Sequence, residues 1–303
     1  MNYALLLFPD FSLILLGYLI CRFTPLNRDV WGPVEALVYY FLFPVLLFHS
    51  IVRSPLDLRA ASDLITAGLL LGLVAVLLAY ALPHLPWLGR RLDRRDAAAS
   101  AQVAFRFNSF IALALAERLG GPQGLQMIAV LIGLCVPLFN VAAVWPMARH
   151  GGHRVLGAIV RNPLIIATTL GLACNLLGLR IPDWMAPTFV RIGNASLALG
   201  LMSAGAGMQF AAMAGGALLG ASVLAIRHMV LPLVAIVLVR LLRLDGPQAV
   251  VLMSFSALPT ASTCYVLAQR MGYNGPYVAG LVTLSTLLGV VSLPFAFWLA
   301  SRY

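Results

Sequence analysis

Two short polar strings interrupt otherwise apolar stretches, and they hold the residues best suited to chemistry. One reads Arg106-Phe107-Asn108-Ser109 and the other Pro259-Thr260-Ala261-Ser262-Thr263. Proline lacks the N–H that the Phe255 carbonyl would receive in a helix, and its ring collides with that carbonyl. A helix running through Pro259 must therefore break or kink. Thr260, Ser262 and Thr263 carry hydroxyls that can cap a restarting helix, as can Asn108 and Ser109 in the first string. A helix restarting there turns its unpaired N–H groups and positive dipole end toward the break. Two such ends facing each other bind an anion without any charged side chain. The alternative at Pro259 is a simple kink whose hydroxyls bond back to their own helix; the matching interruption at Asn108 favours a true break.

Ionisable groups in apolar surroundings are costly and mark function by default. Arg106 can grip a carboxylate in bidentate fashion, or it can lock the break by bonding freed carbonyls; the sequence leaves both open. Arg227 and His228, ahead of Pro232, either support the break from behind or add positive potential to an anion path. Arg191 lies near enough to a block end to snorkel. Asp10 is the deepest acid and also suits the first turn of a helix, while Glu35 and Glu117 fall nearer block ends. A proton-coupled step would draw on Asp10, His49 or His228. Asn140 stands between cavity lining and packing; Asn175 and Asn194 read as packing amides.

Other chemistries lack their residues. Cys21, Cys135, Cys174 and Cys264 show no CxxC spacing and no flanking His pair, so neither metal nor disulfide is expected. There is no HExxH and no paired-Asp pattern, and His49 and His228 are solitary. The chain is read as no enzyme, with no cofactor.

The elements that must position these strings are membrane helices. In 303 residues, 61% are hydrophobic and 10% charged, with mean hydropathy +0.95, which is more apolar surface than one soluble core can hide. Blocks of about 20 residues suit about 30 Å of hydrocarbon. Ten are predicted, near 3–22, 30–52, 62–82, 97–119, 125–147, 163–179, 186–208, 216–239, 247–271 and 277–300. The formal charge of +10 is carried by arginines that fall mostly in the short turns, a topological pattern rather than a face for nucleic acid. With both termini outside, the cytoplasmic side collects Arg22, Arg28, Arg90, Arg91, Arg94, Arg95, Arg149, Arg154, Arg161 and Arg270, ten against seven on the other side. The first block begins almost at Met1 without a basic leader region or an A-x-A site, so it reads as a retained helix.

An internal repeat appears at an offset of 152 to 154 residues. Ala116-Glu117-Arg118-Leu119-Gly120 recurs as Ala268-Gln269-Arg270-Met271-Gly272, Leu16-Gly17 as Leu170-Gly171, and Trp145 as Trp298. A unit with five spans returns the chain to the opposite face, so its second copy is inserted upside down. Inverted repeats of this kind are a transporter architecture with a midplane site. The expected organisation is a first five-helix repeat over 1–148, a short basic cytoplasmic linker over 149–162, and a second, inverted repeat over 163–303.

The strings Phe105-Arg106-Phe107-Asn108-Ser109 and Leu258-Pro259-Thr260-Ala261, with Phe43-Pro44 and Arg161-Asn162-Pro163-Leu164, resemble the auxin efflux carrier family, which holds bacterial malate and malonate permeases and the plant PIN carriers. The resemblance covers the whole chain. It implies a scaffold of helices 1, 2, 6 and 7, a transport domain of helices 3–5 and 8–10, elevator-like movement, an organic anion at the crossing of helices 4 and 9, and a homodimer through the scaffold. Asn108 matches the polar residue of the first crossing, Pro259 the proline of the second, and Arg227 a basic residue before the span-8 proline. Two departures stand out: the plant carriers have a proline in the first crossing too, and a long cytoplasmic loop between helices 5 and 6. Auxin itself is therefore not implied.

The combined expectation is an all-α, ten-helix inverted-repeat transporter of the bacterial inner membrane, moving a small organic carboxylate. Its expected binding residues are Arg106, Asn108, Ser109, Pro259, Thr260, Ser262 and Thr263. Arg227, His228, Asn140, Asp10 and His49 are candidates for support or coupling. The rivals are a sodium-coupled symporter of the bile-acid type and a membrane sensor without turnover.

Overall fold

The structure, a computed structural model, describes residues 3–53, 62–150, 161, 163–207, 216–261 and 263–300. Ser262 and the side chain of Asp10 lie outside the described residues. Helices make up most of the described residues, and no strand occurs among them. In chain order the helices are α1 (Tyr3–Phe23), α2 (Arg28–Arg53, with a π-turn at Val38–Leu42), α3 (Ser62–Ala81), α4 (Arg94–Phe105), α5 (Ser109–His150) and α6 (Pro163–Leu176). They continue as α7 (Ala186–Ala206), α8 (Ala217–Leu241, with a π-turn at Ile226–Val230), α9 (Gly246–Ala257), α10 (Thr263–Arg270) and α11 (Gly275–Ala300).

Five stretches of the described residues are long and apolar enough to cross a membrane: Arg28–Arg53, Ser62–His84, Val130–Arg149, Ala217–Leu241 and Gly275–Ala296. Their outer faces carry apolar side chains at helical spacing: Leu70, Leu73 and Leu77 on α3; Met229, Leu233, Val237 and Leu241 on α8; and Leu288, Val291, Phe295 and Trp298 on α11. Stripes of this size facing outward fit hydrocarbon rather than water.

Helix ends follow from local chemistry. Asn27, Asp93 and Asp245 accept from the backbone N–H groups of Asp29, Asp96 and Gln248 at 2.8–2.9 Å, capping α2, α4 and α9. Gly121 divides α5 at a sharp bend with φ +54° and ψ −147°, a conformation that needs glycine, and Pro122 follows it. Small residues let α1 and α7 touch backbone to backbone: a Cβ on Gly205 would stand 1.8 Å from the Ile14 carbonyl oxygen, and one on Gly17 would stand 2.0 Å from that of Met202. The second half of α2 packs on α6, where Asn175 donates to the carbonyls of Ile51 and Val52 at 2.7 and 3.3 Å, the packing role expected for that amide. Asn194 is exposed on α7. Glu35, read as lying near a block end, is buried at 4% exposure and pairs with Arg28 at 2.8 Å.

α4 and α9 match in length and in their caps. Both have 12 residues, both start behind an aspartate cap, and they lie 152 positions apart. Both stop at a residue in extended conformation: Arg106 after α4 and Leu258 after α9.

Candidate functional site

Each of these stops opens into a short non-helical stretch, 106–108 and 258–261, before a new helix begins. The two stretches lie against each other. The Asn108 N–H donates to the Pro259 carbonyl at 2.8 Å, and the Thr260 hydroxyl donates to the Val103 carbonyl. Each break thus supplies a partner for a backbone group that the other sets free, as apolar surroundings require.

Asn108 does what its type predicts at the head of α5. Its Oδ1 accepts from the Ile111 N–H at 3.2 Å and its carbonyl from Ala112 at 3.1 Å. Phe107 occupies the place that proline holds in the second string. Its ring is buried edge-on to Phe255 and Phe139, with centroids 4.6 and 6.0 Å away.

The second break is held from outside. Arg227, 2% exposed, sends Nε to the Leu258 carbonyl at 2.6 Å and Nη2 to that of Phe255 at 3.5 Å. The Phe255 carbonyl is the one that Pro259 leaves without its helical donor, so this arginine has the supporting role rather than a place in the cavity. His228 bonds Ser292 through Nδ1 and Ser285 through Nε2, both at 2.9 Å. Ser285 accepts from the Thr260 N–H at 2.9 Å and Ser292 donates to the Ala257 carbonyl at 3.4 Å. A neutral imidazole with its proton on Nδ1 satisfies every member of this chain. Gly289 of α11 lets the Pro259 ring seat closely, since a Cβ there would stand 2.5 Å from Pro259 Cγ.

Arg106 is 5% exposed. Its Nη1 donates to Gln102 Oε1 at 2.9 Å and approaches Cys264 Sγ at 3.8 Å, while Nη2 donates to Thr263 Oγ1 at 2.9 Å. These partners are uncharged side chains, not the freed carbonyls that one sequence alternative foresaw. Gln102 is held in turn by donating to the carbonyls of Ala99 and Cys264 at 3.0 and 3.1 Å. Among the described residues no carboxylate pairs with Arg106.

A cavity of about 20 Å³ opens beside this guanidinium, lined by Arg106, Phe107 and Ser109 of the first break, Ala261 and Thr263 of the second, Phe43 and Leu47 of α2, and Val136, Phe139 and Asn140 of α5. That is room for roughly one water. Asn140 is 2% exposed, and among the described residues its Nδ2 has no hydrogen-bond partner. The structure therefore gathers Arg106, Asn108, Ser109, Thr263 and Asn140, with Pro259 and Thr260 forming the backbone crossing. His49 lines a different cavity, on the far side of α2.

Sequence reading did not single out Gln102, Ser285 or Ser292. Gln102 stands four residues before Arg106, the helical spacing at which side chains meet, which was an available signal. Ser285 and Ser292 stand seven apart on α11 and so share a face, but nothing in the sequence says that this face meets His228.

The sequence profile described as membrane transport protein matches residues 146–297, half of the chain. A protein of Rhizobium meliloti (strain 1021) named "Putative malonate transporter" is 24% identical over 311 residues, covering 95% of this chain and 92% of that protein. Together with helices of membrane-spanning length, the profile match identifies an integral membrane protein, and the chain belongs to the membrane transport protein family, the auxin efflux carrier family that its two polar strings resemble.

Proposed function

We propose that this protein carries a small organic carboxylate across the bacterial inner membrane by alternating access, with the anion held beside the crossing of the two breaks. The observation that carries the reading is Arg106: a buried guanidinium beside a cavity, bonded to uncharged groups and paired with no acid among the described residues. An uncompensated cation in a membrane interior is expensive and is best explained by an anionic ligand that neutralises it in turn. The unpartnered Asn140 amide supplies a second donor on the same cavity, and the head of α5 a third.

In this reading the ten predicted spans form two inverted five-helix repeats with both termini outside. The matched lengths and caps of α4 and α9 support the repeat. α1, α2, α6 and α7 would form the scaffold and the seat of a homodimer, with the crossing helices sliding past them. A cavity of about 20 Å³ does not hold a carboxylate, so in this reading opening must precede binding. Malonate, the substrate named for the Rhizobium relative, is the first compound to test.

The experiment is uptake of labelled mono- and dicarboxylates into proteoliposomes, with Arg106→Gln beside the parent. The variant should keep its folded yield and lose uptake by at least about 100-fold, as expected for removal of a charged contact of about 3 kcal/mol. Unchanged carboxylate uptake in Arg106→Gln would sink the assignment. Uptake that requires Na⁺ would move the protein to the symporter reading.

A further inference from the structure

A second cavity, far larger than the one at the crossing, lies elsewhere among the described residues. It measures about 1160 Å³ and opens where the end of α2, the turn after α6 and the start of α7 converge. On α2, Phe43 and Leu47 face the crossing, whereas His49, Val52 and Arg53 line this second cavity. At 3.6 residues per turn those two sets lie on opposite faces, so the cavity is off the route through the crossing.

Its lining combines basic and apolar side chains. Arg53, Arg180 and Arg191 contribute three guanidinium groups, and Asp183 is the single acid of the lining. Among the described residues none of the three arginines has an ion-pair or hydrogen-bond partner. His49 is 8% exposed and is stacked on Phe189 at 5.7 Å, and among the described residues it has no hydrogen-bond partner. The apolar part comes from Val52, Leu179, Ile181 and Val190.

We propose that this cavity is a binding site for an anionic phospholipid, with the phosphate on Arg53, Arg180 and Arg191 and the upper acyl chains along Val52, Leu179 and Val190. Three observations select that ligand class. Arg53 ends α2, Arg180 lies in the turn between α6 and α7, and Arg191 lies in the second turn of α7, near the level where a phosphate layer meets the hydrocarbon. The volume is far beyond what a small carboxylate fills. The mixed lining suits an amphiphile rather than a free ion. The site shares no residue with the crossing, so it is independent of the carboxylate assignment there, although it lies on α2, α6 and α7 of the proposed scaffold.

The test uses full-length protein in mild detergent, stripped of lipid and then titrated with phosphatidylglycerol, phosphatidylcholine or inorganic phosphate. Adducts are counted by native mass spectrometry and melting is followed in parallel. Phosphatidylglycerol should be retained and should raise the melting temperature, because a ligand of the native state must do so, while the other two should have little effect. The R53Q/R180Q/R191Q variant should bind phosphatidylglycerol at least tenfold more weakly, and Arg106→Gln should bind it as the parent does. Should the triple variant fail to fold, Arg180→Gln alone serves, with a weakening of about threefold expected. Equal binding of the two lipids, or unchanged phosphatidylglycerol binding in the arginine variants, overturns the proposal. Binding of inorganic phosphate without the lipid overturns it too, as does a dimer mass with no lipid adduct, which would mean that a second copy fills the cavity.

Discussion

The break after α4 and the break after α9 begin with the same backbone step: Arg106 (φ −75°, ψ 141°) and Leu258 (φ −56°, ψ 141°) both leave the helix in an extended conformation. Only Leu258 precedes a proline, which favours that conformation by sterics. Arg106 reaches it ahead of a phenylalanine. What the breaks share is donors and acceptors for the freed backbone, and what separates them is where these come from. The first break is served by its own Asn108 cap and by Thr260 of the other break. The second draws on Arg227 of α8 and Ser285 and Ser292 of α11. Hydrogen bonding, not proline, is the common cause, and the second break leans on more distant helices.

If that contrast is right, the heaviest loss comes from removing the outside support. Arg227→Leu leaves the Leu258 carbonyl without its donor in a buried place, at a cost of about 3 kcal/mol. The melting temperature in detergent should fall by roughly 5–10 °C. An unchanged value would mean that proline alone holds the second break. The next test gives the first break the proline of the second. Arg106 is already extended as a residue before proline must be, so Phe107→Pro should fold, losing about 2 kcal/mol from the ring contacts with Phe255 and Phe139. A variant that cannot be recovered folded would show that the two breaks are not interchangeable.

How far the sequence reached divides along the same line. Pro259, Asn108 and the 152-residue offset are local or periodic signals, and they located both breaks and the heads of the helices that follow. The helical fold was legible because about 20 apolar residues between arginine-rich turns have few other solutions. Partners across the fold were not legible. Nothing near Thr260 in the chain says that its hydroxyl meets Val103, and Arg106 was left between carboxylate and carbonyl because its partner Thr263 lies 157 positions away. Glu35 looked peripheral by position along its block, yet helix packing rather than depth decides that it is buried.

Asn108 separates the two jobs of the first break. Asn108→Ala removes the cap on the Ile111 N–H, worth about 1 kcal/mol, so the folded yield should stay intact with a melting shift of only a few degrees. Carboxylate uptake in proteoliposomes should nevertheless be abolished, because the Asn108 side chain orients the head of α5 beside Arg106. Uptake at the parent rate would reduce this residue to a cap.

The smallest effect is expected where sequence reading put the most weight. Pro259→Ala restores an N–H and removes the steric bar, so α9 could run on into α10. A continuous helix would have to give up the bonds from the Asn108 N–H to the 259 carbonyl, from the Thr260 hydroxyl to the Val103 carbonyl and from the 260 N–H to Ser285, and would leave Arg227 without the Leu258 carbonyl. Each loss in an apolar surround costs more than one added helical bond returns. The break should therefore persist, with a stability loss below about 1 kcal/mol that arises mainly from the freer unfolded chain. Uptake should stay within about threefold of the parent. A loss of uptake together with a higher melting temperature would reveal that the helix has closed, and would return to proline the part assigned here to the contacts across the crossing.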